Sequence, residues 1–472
     1  MLPTFIIVMH LLGVVTSIRA VMSTRTSQGA IAWAVCLNTF PYLAVPAYWV
    51  FGQSKFDGYD LLRRNEQVTN SGVARRAAAA LRAVAVTPDS PRMASHIALL
   101  ENLSQLPITT GNAAKLLVDG EQTFDAILDA MEQAKRYILF QFYILRDDGL
   151  GQRFKEMMLR KVAEGVSVYA LYDELGSKDL SAAYCEELRA AGVEIAPFNT
   201  TQGKGNRFRV NFRNHRKVVV VDGSVAFVGG HNVGDDYLGL DPKLSPWRDT
   251  HVQLRGPVVK SVQVSFVEDW YWAKRELPDL DWEIETAADG DLAAACVPSG
   301  PADKLETGTL MFLHGINSAQ DRIWIVSPYF VPDEQLMSAL QLAALRGVDV
   351  RILIPQNPDA LHVYLSSISY LQEAEDAGVK IYRYQPGFLH QKVALIDKHL
   401  SSIGTANLDN RSMRLNFEIT MLIYGERFAG EVEKMLLADF AVSKRATPEE
   451  YTKRSFPFRL AVRICRLFAP LQ

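Results

Sequence analysis

Cysteine is scarce in this chain: Cys36, Cys185, Cys296 and Cys465 are its only four in 472 residues, and they stand far apart. No Cys-x-x-Cys pair occurs and no histidine follows at ligand spacing, which speaks against a disulfide framework and a structural zinc. Excess charge is lacking too. A formal net charge of −3 gives no whole-protein pull toward nucleic acid, although local basic patches still act within a Debye length of about 10 Å. Two stretches near the start have no charge at all. Met1 to Ile18 contains no Asp, Glu, Lys or Arg, and neither does the interval between Arg25 and Lys55.

Both stretches approach the roughly 20 residues that a membrane-spanning helix needs, so residues 1–55 are predicted to form a transmembrane helical hairpin. A cleaved signal peptide is a rival for the first stretch, but Met1-Leu2-Pro3-Thr4 lacks the basic start such a peptide needs. A pair of buried soluble helices is the other alternative. Against it, Trp33, Tyr42, Tyr48 and Trp49 sit near the ends of the second stretch, as interfacial aromatics do. Pro41 and Pro46 predict a kink there. A hairpin would return the chain to its starting face, and the nearly balanced basic residues around it do not say which face that is.

At this length two or three domains are expected. Residues 56–110 read as a helical connector, with Ala77 to Ala80 favouring helix and Pro88-Asp89-Ser90-Pro91 breaking it. From Gly111 the pattern alternates helix and strand: one-face spacing at Phe124, Ile127, Leu128 and Met131, then apolar runs from Tyr137 to Ile144, Val166 to Tyr172 and Val193 to Ala196. That is the signature of an α/β fold with mixed, mostly parallel sheets flanked by helices. The order repeats with Ile323 to Val331, Val348 to Ile354 and Gly378-Val379-Lys380-Ile381. Two tandem domains follow, 111–297 and 298–472, with Val297-Pro298-Ser299-Gly300-Pro301 as the expected linker. Near the end, Leu460, Ile464, Leu467, Phe468 and Leu471 fall on one helical face and Arg459, Arg463 and Arg466 on another. Such a helix suits an anionic membrane interface; a closing helix packed on the second domain fits equally well.

The chemistry lies in two strings, His215 to Asp222 and His390 to Asp397, both His-x-Lys-x4-Asp. Each is followed at equal spacing by a glycine, Gly229 and Gly404, and an asparagine, Asn232 and Asn407. One such string arises by accident on the order of once in fifty chains at ordinary composition; two copies sharing five positions argue for a site. Residues two apart in a strand share a side, so His215 projects with Lys217 and His390 with Lys392. The neighbouring lysines would repel a divalent ion, so no metal is expected. Lys217, Lys392, Asn232 and Asn407 would instead make a pocket of donors for the oxygens of one phosphate. One neutral imidazole could attack phosphorus while the other, protonated, gives a proton to the departing oxygen. The two rings must then differ in protonation, and any titration belongs to the pair. Asp249 and Glu418 are candidates to orient the rings through their far nitrogens, with ordinary salt bridges as the alternative. Asp222 and Asp397 complete the catalytic motif, although they point away from the His/Lys face and read as structural supports.

These paired strings resemble the phospholipase D superfamily. Gly404-Thr405-Ala406-Asn407-Leu408-Asp409-Asn410-Arg411-Ser412 with Asn416-Phe417-Glu418 is similar to the bacterial cardiolipin synthases within it, over nearly the whole chain. The resemblance implies transfer of a phosphatidyl group through a phosphohistidine, from one phosphatidylglycerol to a second, with loss of glycerol and no cofactor. His215 would be the nucleophile and His390 the acid/base. It implies a multi-pass protein of the bacterial inner (cell) membrane, with anionic phospholipids as partners, no nucleic acid, and the oligomeric state open. The first copy departs at Gly230, where the second has Thr405, and carries an extra His231. Lys204, Arg207, Arg209 and Arg213, interleaved with Phe208 and Phe212, would suit an anionic headgroup, a nucleic-acid patch or a solvated loop. Hydrolytic phospholipase D, a nuclease of this superfamily and a non-enzymatic membrane scaffold are the competing functions.

Overall fold

A computed structural model describes residues 2–52, 55, 56, 59, 72–199, 201 and 211–472; the basic and aromatic positions 204–209 lie outside these. The first apolar stretch is one helix, α1 (Leu2–Ser23), about 33 Å long at 1.5 Å per residue and sufficient for a bilayer core of about 30 Å. The second stretch does not form the single spanning helix expected of a hairpin. It breaks at Phe40 into α2 (Ser27–Thr39) and α3 (Pro41–Phe51), about 20 and 17 Å long. Pro41 occupies the first turn of α3, where its missing N–H costs nothing but the preceding helix cannot continue through it. The two arms double back beside α1. Asn38 Nδ2 donates to Ser17 Oγ at 3.0 Å, whereas Tyr48 OH lies 3.0 Å from Ser23 Oγ and Arg19 stacks on Trp49. The turn between α2 and α3 thus lies level with the middle of α1.

The 56–110 connector contains a helix over Gly72–Ala83 and α4 (Pro91–Ser104), whose first turn is capped by the Ser90 hydroxyl. Beyond it the strands are β1 (Thr109–Val118), β2 (Tyr137–Phe142), β3 (Ser167–Asp173), β4 (Glu194–Phe198), β5 (Val218–Val221), β6 (Val225–Gly229), β7 (Thr250–Arg255) and β8 (Leu292–Ser299). They continue as β9 (Arg322–Val326), β10 (Asp349–Pro355), β11 (Lys380–Tyr384), β12 (Val393–Ile396), β13 (Leu400–Gly404), β14 (Asn416–Tyr424) and β15 (Ser443–Arg445). Helices named below are α5 (Val258–Lys274), α6 (Asn410–Arg414), α7 (Glu426–Ala441) and α8 (Phe456–Leu467).

All these strands belong to one mixed sheet, in the order β15-β11-β10-β9-β12-β13-β14-β8-β1-β7-β6-β5-β2-β3-β4. Within this order its wings, β2-β3-β4 and β9-β10-β11, are parallel. The long centre from β9 to β2 is antiparallel, so the expectation of mostly parallel sheets is corrected. The βαβ periodicity was legible in the wings, but the tight turns after β5 and β12 set up hairpins instead. The expected linker is also corrected: Val297, Pro298 and Ser299 lie inside β8, where they pair with Thr420, Ile419 and Glu418.

Alternation along each strand sends its side chains to different cores. Val219 and Val221 enter a core built almost wholly from the first half, with Phe388 added, and Ile323 and Ile325 one built mainly from the second, with Ile97, Leu100, Ala295 and Val297 added. On the opposite face Leu139, Val218 and Val220 share a single core with Trp324, Val393 and Ile419, beneath α5 and α7. Each fully buried aliphatic side chain contributes about 1.5–3 kcal/mol, so this shared layer fixes the halves to one another.

Candidate active site

The site is assembled by two short parallel pairings that join the halves. Arg213–Asn214 pairs with Asn416 and Phe417, and Phe388–Leu389 with Trp247 and Arg248. One residue further, His215 N donates to Phe417 O at 2.9 Å and His390 N to Arg248 O at 2.8 Å. This register sets each histidine beside a carboxylate of the other half. His215 Nδ1 lies 2.9 Å from Glu418 Oε2, and His390 Nδ1 lies 2.7 Å from Asp249 Oδ2. The two carboxylates are fully buried. A carboxylate accepts, so each Nδ1 carries the proton and each Nε2 presents its lone pair. Tyr143 packs against the His215 ring and Trp247 against the His390 ring, both with centroids 5.0 Å apart.

Lys217 Nζ donates to His215 O at 2.7 Å, Lys392 Nζ likewise to His390 O, and both side chains are buried. Burial with no ion-paired partner among the described residues is hard on an ammonium. It pushes Lys392 down to about 8, against the pull of Asp249 and Glu418, and takes Lys217 well below its ordinary value. Burial pushes His215 to about 4, opposed by Glu418 and reinforced by Lys217; His390 falls well below its usual range through burial and both lysines. For Glu418, burial raises the carboxyl, but His215 and Lys217 carry it below its ordinary value. Two-histidine catalysis requires the rings to differ in protonation, yet the protein pushes both the same way. A phosphodiester anion among these cations would supply the missing negative charge and raise the ring that must hold a proton.

Asn232 is tied on both sides, its Oδ1 accepting from Ile144 N at 3.1 Å and its Nδ2 donating to Tyr237 OH at 3.2 Å; one amide hydrogen remains. Asn407 is held through its backbone, its N–H donating to Ser412 Oγ at 3.0 Å. The difference between Gly230 and Thr405 has a steric cause. A Cβ on Gly230 would stand 2.1 Å from Asp249 Oδ1, so the space of the missing side chain belongs to that carboxylate. In the second copy Thr405 Oγ1 accepts from Ile419 N at 2.9 Å, beside Glu418.

Asp222 and Asp397, grouped with the catalytic set by the motif, lie across a four-residue strand from the lysines. Asp222 accepts from the backbone N–H groups of Lys135, Arg136 and Tyr137 at 2.7–2.8 Å, and Asp397 from those of Gln320, Asp321 and Arg322 at 2.8–3.1 Å. Both adopt positive φ, 51° and 53°, tolerated by aspartate in such turns. They fasten the starts of β2 and β9, and their contacts are structural ones. Phe212 is likewise corrected as a lipid-facing ring: it is buried with Phe56, Phe198 and Phe417. His231 is fully buried, its Nδ1 3.1 Å from His251 Nδ1. Burial pushes both rings down to about 3, which makes them a neutral pair under the first strand turn.

Sequence reasoning missed a buried hub. Arg216, between His215 and Lys217, donates to Glu418 O and to Asp269 Oδ1, both at 3.0 Å. Asp269 on α5 also accepts from Tyr59, Gln141 and Asn214 at 2.6–2.8 Å. On the other side Arg248 is gripped by Asp439 and Asp119. An acid on the apolar face of α5, next to Trp270, was the available signal.

A family model described as cardiolipin synthase, PLD-like domain, matches residues 127–269 and 312–440. The chain is 50% identical over 463 residues to cardiolipin synthase A of Pseudomonas putida (strain W619), covering 98% of this chain and 96% of the relative. It is 50% identical over 465 residues to cardiolipin synthase A of Pseudomonas aeruginosa (strain LESB58), covering 98% and 94%. Among solved structures, phosphatidylserine synthase of Haemophilus influenzae Rd KW20 superposes with a TM-score of 0.62 at 16% identity, over 79% of this chain and 99% of that one; this likeness concerns the fold.

Proposed function

The chain belongs to the cardiolipin synthase family of phospholipase D-like proteins, and from that premise we propose that it is a membrane phosphatidyltransferase converting two phosphatidylglycerol molecules into cardiolipin and glycerol. The observation that carries the mechanism is the crossed arrangement of His215 with Glu418 and His390 with Asp249. The phosphate of the first lipid is held by Lys217, Lys392, Asn232 and Asn407. His215 Nε2 attacks phosphorus; the bond to the glycerol oxygen breaks, and that oxygen takes a proton from His390. His390, now neutral, removes the proton from a hydroxyl of the second phosphatidylglycerol, whose oxygen displaces His215 and forms cardiolipin. The lysines stabilise the charge that spreads over the phosphate oxygens in both steps.

In this reading the segments around 127–269 and 312–440 act as tandem phospholipase D-like halves, with the β8–β1 pairing as their seam. α1 anchors the enzyme in the membrane, and α2 with α3 enters the bilayer from the catalytic side and returns. Purified protein given headgroup-labelled phosphatidylglycerol is expected to yield cardiolipin plus free glycerol. Phosphatidic acid as the sole lipid product would instead make it a hydrolase.

A further inference from the structure

α8 packs only one of its faces. Val462 is completely buried against the second-half core, together with Ala469 just beyond the helix. The opposite stripe is open, with Phe456 68%, Leu460 48%, Ile464 47% and Leu467 77% exposed. These four follow one another at helical spacing, so they form a continuous apolar strip. Arg454, Arg459 and Arg463 lie beside it, while Lys453 and Arg466 are ion-paired with Glu449 and Glu373, and residues 453–472 contain no acid of their own. An isologous pairing of this face with a second copy would bring these cations against themselves. An anionic surface that accepts apolar side chains between its charges suits them.

The helix is also wired to the site. Arg411, on α6 between Asn407 and Glu418, donates its backbone N–H to Gln472 O at 2.7 Å and its Nη1 to Leu471 O at 3.2 Å. The same guanidinium holds Asn211 Oδ1 at 2.9 Å and Asn211 O at 2.7 Å, four residues before His215. The turn after α1 reaches this region too: Arg25 bonds Glu306, whose carboxylate lies 3.6 Å from Arg414 Nε on α6.

We propose that α8 is an interfacial lipid-binding element, inserting Phe456, Leu460, Ile464 and Leu467 into an anionic phospholipid bilayer and, through Leu471, Gln472 and Arg411, aligning the catalytic turns with the lipid surface. The full-length protein tests this by two readouts. In the first, Leu460→Asp/Ile464→Asp is compared with the parent on phosphatidylglycerol vesicles and on short-chain phosphatidylglycerol below its aggregation concentration. At least a tenfold rise in the surface concentration needed for half-maximal rate is expected on vesicles, with no change on the dispersed lipid. Unchanged vesicle kinetics, or an equal loss on both substrates, overturns the proposal. So does a fall in detergent-solubilised mass with vesicle kinetics intact, which would make the strip a contact between copies. In the second, Ile464→Cys carries a fluorophore, with Cys36 and Cys465 replaced by serine, in phosphatidylglycerol nanodiscs. Quenching by acyl-chain-brominated lipid is expected, and an unquenched label overturns the proposal even if the double variant fails to fold. The rate readout rests on the phosphatidyltransferase reading and the quenching does not, so the two can fail separately.

Discussion

His215 and His390 each depend on a carboxylate whose loss can be separated from the loss of the ring. His215→Ala and His390→Ala should each abolish transfer in protein that still melts cooperatively. Glu418→Gln keeps an oxygen for the Nδ1 proton but removes the charge behind it, so a fall of about 10²–10⁴ in rate is expected; Asp249→Asn should behave alike at His390. Full activity in any of the four, measured as cardiolipin formed per folded enzyme, would exclude the crossed mechanism. Acid should also unfold the protein through these rings. His215 titrates near 4 when folded, against an ordinary 6.5, so its neutral form favours the native state. That contribution, about 3 kcal/mol, is complete above pH 6.5 and lost as pH falls toward 4. His231 and His251 act in the same direction. Thermal melting between pH 7 and 4 should fall steeply, and less steeply in His231→Phe; a flat profile would contradict the neutral-ring picture.

Among the elements, α1 to α3 make the clearest topological statement. If α1 spans and the α2–α3 pair returns to the side it entered, the N-terminus and the catalytic body occupy opposite faces. A full hairpin would put them on the same face. Labelling intact and permeabilised cells with a membrane-impermeant maleimide, using single cysteines near position 2 and at exposed Ser224, should give opposite accessibilities. Equal accessibility restores the full hairpin. The sequence made both apolar runs legible because charge avoidance is local, yet charge alone says nothing of where Pro41 cuts the second run or how its arms fold against Gly13 and Ser17. β8 was misread for a related reason. Pro298 and Gly300 look like punctuation, but the strand's pairing is specified by Thr420 and Ile419, more than a hundred residues away. The strands that follow were legible because their own valines, alanine and leucine carry the signal, whereas His215–Lys217 and His390–Lys392 themselves lie just outside them, in irregular backbone rather than on one strand side as the sequence suggests.

For the whole molecule, the decisive property is that each histidine borrows its carboxylate from the other half. That crossing was invisible in the string itself: Asp249 and Glu418 stood out as candidates, while their assignment to partners follows from the Arg213–Asn416 and Phe388–Trp247 pairings. For Arg216 and Asp269 the single sign was an acid on the apolar face of α5, which does not say which cation it pairs with. Because the crossing lies within one chain, a mixture of His215→Ala and His390→Ala proteins should show no more cardiolipin synthesis than either alone. Recovery toward one quarter of parental activity in refolded mixtures would mean that the halves exchange between chains.

The β14-β8-β1-β7 run, which crosses the seam with one register shift between Thr109 and Asn112, carries a kinetic consequence. With strands laced across the middle and one apolar core shared by both halves, opening the molecule like a book would break buried packing. If the phosphatidyl group passes through His215 as proposed, glycerol is expected to leave before the second lipid reacts. Such an order gives parallel double-reciprocal plots when phosphatidylglycerol as donor and a chemically distinct alcohol as acceptor are varied independently, and inhibition when an excess of that alcohol occupies the site before the donor has entered.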